Sequence, residues 1–577
     1  GQPQKLFWPH IDWGQHLGQL KFGLQIDQEL PIWLQDPEWS SRQHYQDNTL
    51  ITHLKFKNQY AACWQDTLDI QSDLWRRSLH IKNQTLTDQS WRLLAYVAWQ
   101  IDQSDLADGM YVEQNYLVQH KRKTYLGLRL TDYPLTAWGC GRQGTPSDPW
   151  LALQKGKIFG SKDNIKGGAA ALSWDLGLCP AGQSLELELL VAAAPDPIQL
   201  DSLFLAAKSR DMQSQSQAFW QGWAKPEPTW PLYRRSLLTL KLLTDAESGG
   251  SLAAPEFDPA YEYSGGYGYC WPRDGFFVAL AFDEAGYAQE AAAFYEFARR
   301  VQCPDGDWQQ RYWLDGSWAS HWGRQTDQTG AVLWGYYRHY QLTQDREFLK
   351  ESWLSVRQGA EFLLRQLSPE NHLPQAAIDL WEDSLEQNTY TAAAVWGGLQ
   401  GAVGLAKALG EANQARRWQM AGEQLKQAIL QYLPNEQGVF TRARGNPILD
   451  SAVLGLVYPF AVLEPQHPLA LKTRQALEEH LLNAQTGGLH RYQWDQYAGG
   501  NPWVVSTLWL ALVHIRQGNR EQAAELIRWS EKHASPTGLL PEQIDQVAGR
   551  PYWVLPLAWS HALYILACLE YKKRFQP

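Results

Sequence analysis

From residue 231 to the C-terminus, apolar residues return about every 3.6 positions, and the segments carrying this period are joined alternately by short and long connections. In 411–432, Ala415, Trp418, Ala421, Leu425, Ala428 and Ile429 fall on one helical face. About twelve such segments are read, near 232–245, 274–284, 286–300, 325–341, 345–366, 388–408, 411–431, 449–461, 467–481, 502–516, 518–532 and 556–573. Connections after the even-numbered segments are short, so those pairs are antiparallel neighbours. Connections after the odd-numbered segments are long, polar and rich in aromatic residues. In an up-and-down array all the long loops leave at one end. Twelve alternating helices therefore predict a double ring, an (α/α)6 barrel, with the long loops around one mouth, where a rigid scaffold usually keeps its site.

The first 195 residues have a different period. Leu185-Glu186-Leu187-Glu188-Leu189, Leu54-Lys55-Phe56-Lys57 and Tyr125-Leu126-Gly127-Leu128-Arg129-Leu130 alternate apolar and polar side chains, the pattern of half-buried strands. Turn clusters such as Lys162-Asp163-Asn164 separate them, and many short antiparallel strands predict a β-sandwich. Three regions follow: an N-terminal β-sandwich over 1–195, a helical and Pro-rich linker over 196–230, and an all-α domain over 231–577.

Composition narrows the function. A net charge of −10 opposes a nucleic-acid partner. No apolar run reaches the roughly 18 residues that a membrane helix needs. The first residues contain no signal-peptide core, so a cytoplasmic location is the expectation, with a removed signal left open because the chain starts at Gly1. Six cysteines without C-x-x-C spacing predict neither a zinc site nor a redox pair, and no metal or cofactor is expected. Asp305-Gly306-Asp307 lacks the spacing of a calcium loop and reads as a turn. The 30 Trp, 26 Tyr and 17 Phe are mostly core, yet aromatic rings also stack on the apolar faces of sugars, which makes a carbohydrate ligand worth testing.

The long loops carry the chemistry. The first holds Tyr267-Gly268-Tyr269-Cys270-Trp271-Pro272-Arg273-Asp274, the second Ser320-His321-Trp322-Gly323-Arg324-Gln325-Thr326-Asp327, and the third Ile378-Asp379-Leu380-Trp381-Glu382-Asp383. The fourth, with Arg442 and Arg444, is less telling. The fifth runs from Leu489-His490-Arg491-Tyr492-Gln493-Trp494-Asp495 through Tyr497 to Trp503, and the sixth holds Leu540-Pro541-Glu542-Gln543. Carboxylates, guanidiniums and tryptophans thus converge on one mouth. Glycoside hydrolysis needs that set: an acid for the leaving oxygen, a second carboxylate to activate water or attack carbon, and rings and charges to hold the sugar. For Asp274, at a helix start, N-capping is the competing role.

In this order the motifs, with Pro556–Ala562, resemble glycoside hydrolase family 15, the glucoamylase and glucodextranase family, over nearly all of 231–577. A β-sandwich ahead of the barrel is similar to its prokaryotic members. The resemblance implies that Glu382 is the general acid and Glu542 the general base, and that Arg273 and Asp274 bind the non-reducing-end glucose. It implies first-subsite roles for Tyr267, Trp322, Arg491 and Trp503, with Trp381 beside the acid and Trp559 near the base. A raised pKa suits the acid, and Asp383 and Trp381 are the neighbours expected to supply it. Asp383 departs from the pattern, because many starch-acting members carry Glu there on the leaving side of the sugar. The expected function is an exo-acting, inverting hydrolase that releases β-glucose from α-glucans or α-gluco-oligosaccharides. The first choice is α-1,4 linkage, then α-1,6; a trehalase, a glycoside phosphorylase and a non-catalytic sugar-binding protein are further alternatives.

Overall fold

The computed structural model describes residues 3–12, 15–104, 108–160, 168–208, 210–225, 227, 229–256 and 266–576. The chain divides into two compact units, Gly1–Lys225 and Pro226–Pro577.

The first unit is a sandwich of an eight-stranded and a five-stranded antiparallel sheet. Alternation places the side chains as read from sequence. Leu187 and Leu189 are buried while Glu186 and Glu188 lie on the opposite face, and Leu126, Leu128 and Leu130 are buried on their strand. These leucines share one core with Leu24, Leu93, Leu172 and Trp174 of the other sheet. Two helices follow the last strand, α1 (Pro197–Ala207) and α2 (Met212–Trp223). The Asp196 carboxylate caps α1 by accepting the Gln199 N–H at 2.8 Å. In the first part of the stretch read as linker, Leu200 and Phe204 of α1 bury themselves against Leu190 and Ala192. Lys162-Asp163-Asn164 lies outside the described residues.

The second unit is the (α/α)6 barrel. Its helices are α3 (Tyr233–Leu243), α4 (Pro272–Glu284), α5 (Ala288–Val301), α6 (Thr326–Thr343), α7 (Arg346–Gln366), α8 (Thr389–Leu409), α9 (Ala412–Tyr432), a 3-10 segment (Ser451–Leu456), α10 (Pro468–Leu481), α11 (Val504–Gln517), α12 (Arg520–Lys532) and α13 (Ala558–Phe575). The inner ring runs α4, α6, α8, the 3-10 segment, α11 and α13, each packed on the next, with α13 closing on α4. Helices α3, α5, α7, α9, α10 and α12 pack outside it. Inner helices are buried almost all round, as in α11, whereas the outer α9 buries one stripe, Ala415, Trp418, Gly422, Leu425, Ala428 and Ile429.

One expected helix is shorter than read. Over 449–461 only Ser451–Leu456 is helical, and as a 3-10 turn. Pro459 offers no N–H to continue the ladder, and Gly455 lies where a Cβ would be 2.8 Å from the Tyr390 ring. Every inner element is entered from a long loop, so the inner N-termini, with their partial positive charge, face the mouth. No helix among the described residues is long and apolar enough to cross a membrane.

Candidate active site

A cavity of about 280 Å³ opens at that mouth. Its walls include Tyr267, Trp271, Arg273, Asp274, Trp322, Trp381, Glu382, Asp383, Arg491, Tyr497, Trp503, Glu542 and Trp559. Every site residue named from the sequence is therefore in one place, delivered by five separate loops and the start of α13. Burial orders them from floor to rim. Glu542 is 2% exposed, Arg273 4%, Trp559 4% and Asp274 7%, whereas Trp322 is 51% exposed and the Asp383 side chain 34%. The cavity is closed at the Arg273–Asp274 end and open at the Trp322–Asp383 end.

Arg273 and Asp274 sit in the first turn of α4. The helix begins at Pro272 with Trp271 in the capping position, so Asp274 is not its N-cap, and its carboxylate lines the cavity. The Arg273 guanidinium donates to Gln325 Oε1 at 2.9 Å and to Asp327 Oδ2 at 3.2 Å, and lies 3.5 Å from Asp274 Oδ2. Burial pushes the Asp274 carboxyl up to about 6; the Arg273 charge opposes this and the nearby Glu382 carboxylate adds to it.

Glu382 occupies a tight turn with φ of 69°, in the left-handed region that a non-glycine residue enters at a cost of about 1–2 kcal/mol. Its Oε1 accepts from Trp271 Nε1 at 2.7 Å and Gln325 Nε2 at 3.0 Å. The neighbours expected to act on it are engaged elsewhere. Trp381 Nε1 donates to Asp450, at 2.9 Å from Oδ1, and Asp383 is bound by Arg442 and Tyr492. The turn at Glu382 sends adjacent side chains to different partners, so adjacency in sequence was a poor guide to contact.

Glu542 lies on the floor. Tyr267 donates to its Oε1 at 2.8 Å, and Gln543 Nε2 to its Oε2 at 3.1 Å. The Tyr267 and Tyr497 hydroxyls are 2.7 Å apart, and Trp553 Nε1 donates to Tyr497 at 3.0 Å. Burial drives the Glu542 carboxyl up to about 7, against the Tyr267 hydrogen bond and the Arg491 charge. Arg491 is pinned by a bidentate pair with Asp495, at 2.6 and 2.7 Å, and its guanidinium lies 4.8 Å from the Trp503 and Tyr497 ring centres.

Two bidentate-capable arginines, paired carboxylates and tryptophan walls in a closed-ended cavity are a sugar-hydrolysing constellation. The family description "Glycosyl hydrolases family 15" matches residues 227–305 and 318–528, which is half of the chain. The chain belongs to this family. As a family 15 glycoside hydrolase it is 27% identical over its whole length to an uncharacterized glycosyl hydrolase of Methanocaldococcus jannaschii, covering 97% of that protein. It is 29% identical over 56% of its length to the isomaltose glucohydrolase of Kribbella flavida, covering 89% of it. It is 26% identical over 63% of its length to a trehalase of Mycobacterium tuberculosis, covering 58% of it. A crystal structure of a bacterial glucoamylase complexed with acarbose superposes with a TM-score of 0.83 at 18% identity, over 99% of this chain and 92% of that one, which is a likeness of fold.

Sequence reasoning about this family 15 site missed several residues. Gln325 joins the two ends of the cavity, touching Glu382, Arg273 and the Asp379 carbonyl. Tyr497 lines the wall, and Arg442, Asp379, Asp450 and Tyr492 stand behind the rim. Gln325, Tyr497 and Arg442 all fall inside loops already singled out, which was the available signal; the fourth loop, with Arg442, was read as less telling, and its ion pair with Asp383 shows that it bears on the rim. Trp494 is 76% exposed and stays out of the cavity. The buried Cys270 thiol is also outside the cavity lining. Asp305 and Asp307 form ion pairs with Arg324, and no metal-holding cluster occurs among the described residues.

Proposed function

We propose that this glycoside hydrolase is exo-acting and inverting, and releases β-glucose from the non-reducing ends of α-1,4-linked glucans or oligosaccharides. The observation that carries the reading is the one-ended cavity. Its floor offers Arg273 and Asp274 as hydrogen-bond partners for a terminal sugar, and its size is at the small end for ligand pockets, which suits one sugar ring inside and the rest of the chain outside.

In this reading Glu382 is the acid. Both of its N–H donors go to Oε1, so Oε2 is the oxygen that carries the proton to the glycosidic oxygen. Glu542 is the base; Tyr267 and Gln543 hold its two oxygens in place while it removes a proton from water. The water oxygen bonds to C1 from the face opposite the departing oxygen, the C1–O bond breaks, and the new hydroxyl is β. Such a displacement needs about 6.5–9.5 Å between the carboxyl groups, and carboxylates on different loops suit it. A base held to about 7 is matched to work near neutral pH.

A second reading, α-1,6 specificity for short oligosaccharides, is favoured by the likeness to the isomaltose glucohydrolase. Proton NMR of fresh digests of maltotriose, isomaltotriose and trehalose decides between them. Early β-glucose mainly from maltotriose supports the first reading, and mainly from isomaltotriose the second. Early α-glucose from either trisaccharide ends the inverting mechanism, and turnover of trehalose alone makes the protein a trehalase.

A further inference from the structure

We infer that Arg442 is a positioning residue for the leaving-group sugar: it fixes the Asp383 carboxylate at the cavity rim as an acceptor for a hydroxyl of the sugar unit that departs. The inference rests on the hydrolytic reading above and on the leaving-side place that the family resemblance gives Asp383, and adds to them the residue that holds that carboxylate in place.

The argument starts from burial. The terminal sugar goes to the closed end, so the unit beyond the scissile bond lies toward the open end, where Trp322 and Asp383 are the exposed walls. A rim aspartate would ordinarily be a mobile, solvated charge. Asp383 is instead held at three points by two other loops and its own turn. Its Oδ1 pairs with the Arg442 guanidinium, its Oδ2 accepts from the Tyr492 hydroxyl, and its backbone N–H donates to Asp379 Oδ1 at 3.0 Å. Arg442 is 7% exposed and serves more than one carboxylate, with Asp379 Oδ2 at 2.6 Å and Asp450 Oδ2 at 3.7 Å from Nε. Its guanidinium lies 4.3 Å from the centre of the Tyr492 ring. The buried side has charge partners enough without Asp383, so the rim contact is not needed to neutralise Arg442. What it does is freeze a carboxylate that keeps about a third of its surface open, and a carboxylate has lone pairs left after two contacts. A preorganised acceptor loses less entropy on meeting a sugar hydroxyl than a free one.

The test compares substrates that differ only in the leaving group. Maltose and isomaltose depart as a sugar; α-glucosyl fluoride departs as fluoride and has nothing to present to Asp383. For Arg442→Met we expect the ratio of kcat/KM on the favoured disaccharide to kcat/KM on the fluoride to fall about 10- to 100-fold, the range of a lost charge-assisted hydrogen bond. Tyr492→Phe should lower the ratio in the same direction by a smaller factor. Equal losses on both substrates, or an unchanged ratio, overturn the inference and leave Arg442 structural. Should Arg442→Met fail to fold, Arg442→Lys, which keeps a charge beside the buried Asp379 and Asp450 but loses the planar fork that also reaches Asp383, carries the same comparison with the same overturning result. A wild-type enzyme inactive on both disaccharides and on the fluoride would instead overturn the hydrolytic reading itself.

Discussion

At the scale of single residues the site turns on two carboxyls in unlike surroundings. Glu542 is fully enclosed, and burial outweighs the Tyr267 hydrogen bond and the Arg491 charge in holding its proton up to about 7. Replacing it by Gln preserves volume and removes the proposed base. Glu542→Gln should lower kcat about 100- to 10,000-fold while sugar binding, measured by calorimetry, persists. Full activity would remove the base assignment. Tyr267→Phe tests the balance more finely. The Tyr267 hydrogen bond favours the ionised carboxyl, so its loss raises the Glu542 pKa, and the acid limb of kcat/KM against pH should move upward. A limb that stays put would mean that another group controls it. Sequence showed which residue types converge here, because motif order on alternating loops encodes convergence. It did not show their pairings. Gln325 to Glu382 and Arg442 to Asp383 join residues about 60 positions apart, and neither partner carries a local signal of the other.

At the scale of elements, the barrel depends on close crossings of its inner helices. Gly330 of α6 lies against α8 so closely that a Cβ would be 2.3 Å from the Ala394 carbonyl oxygen, and Gly398 of α8 would place one 2.7 Å from Gly330 Cα. The obstacle at Gly330 is backbone, which cannot rotate away. Alanine gains about 1 kcal/mol over glycine in a helix, whereas overpacking costs about 1–3 kcal/mol. With rigid backbone in the way the penalty wins, and Gly330→Ala should lower the thermal midpoint. Gly222 of α2 has nothing within 4 Å of its ideal Cβ, so Gly222→Ala should hold or raise it. A rise at both positions would refute the close-packing argument. The helices themselves were legible because apolar residues keep a period of about 3.6 and long and short connections alternate. The 3-10 segment was not, because its apolar residues fit a helical face; Pro459, which offers no N–H to continue the ladder, lies beyond it.

At the scale of the whole molecule, folding takes many acidic groups out of water. Burial raises the Asp274, Asp307 and Asp450 carboxyls to about 6 and Glu542 to about 7, against roughly 4 in an unfolded chain. Asp108, Asp283, Asp327, Glu188 and Glu531 are raised for the same reason. Between about pH 4 and 7 the folded chain keeps protons that the unfolded chain releases, so this contribution is complete below the unfolded pKa and is lost as pH rises through the folded values. Buried histidines act in the opposite sense. His561 is held down to about 3, and His16, His120 and His490 are lowered too, so the unfolded chain gains protons below about 6.5 that the folded one refuses. Within pH 5.5–7.5 the four carboxyls held at about 6–7 and the four lowered histidines pull in opposite directions, so the Glu542 share is isolated by difference: the midpoint at pH 5.5 minus that at pH 7.5, measured calorimetrically at constant ionic strength, should be smaller in Glu542→Gln than in the unmutated protein. Activity should rise over the same interval, because Glu542, the proposed base, must be ionised to take a proton from water. The proton that stabilises the fold at Glu542 is the one that the proposed base must lose, and a midpoint difference unchanged by Glu542→Gln would contradict that opposition.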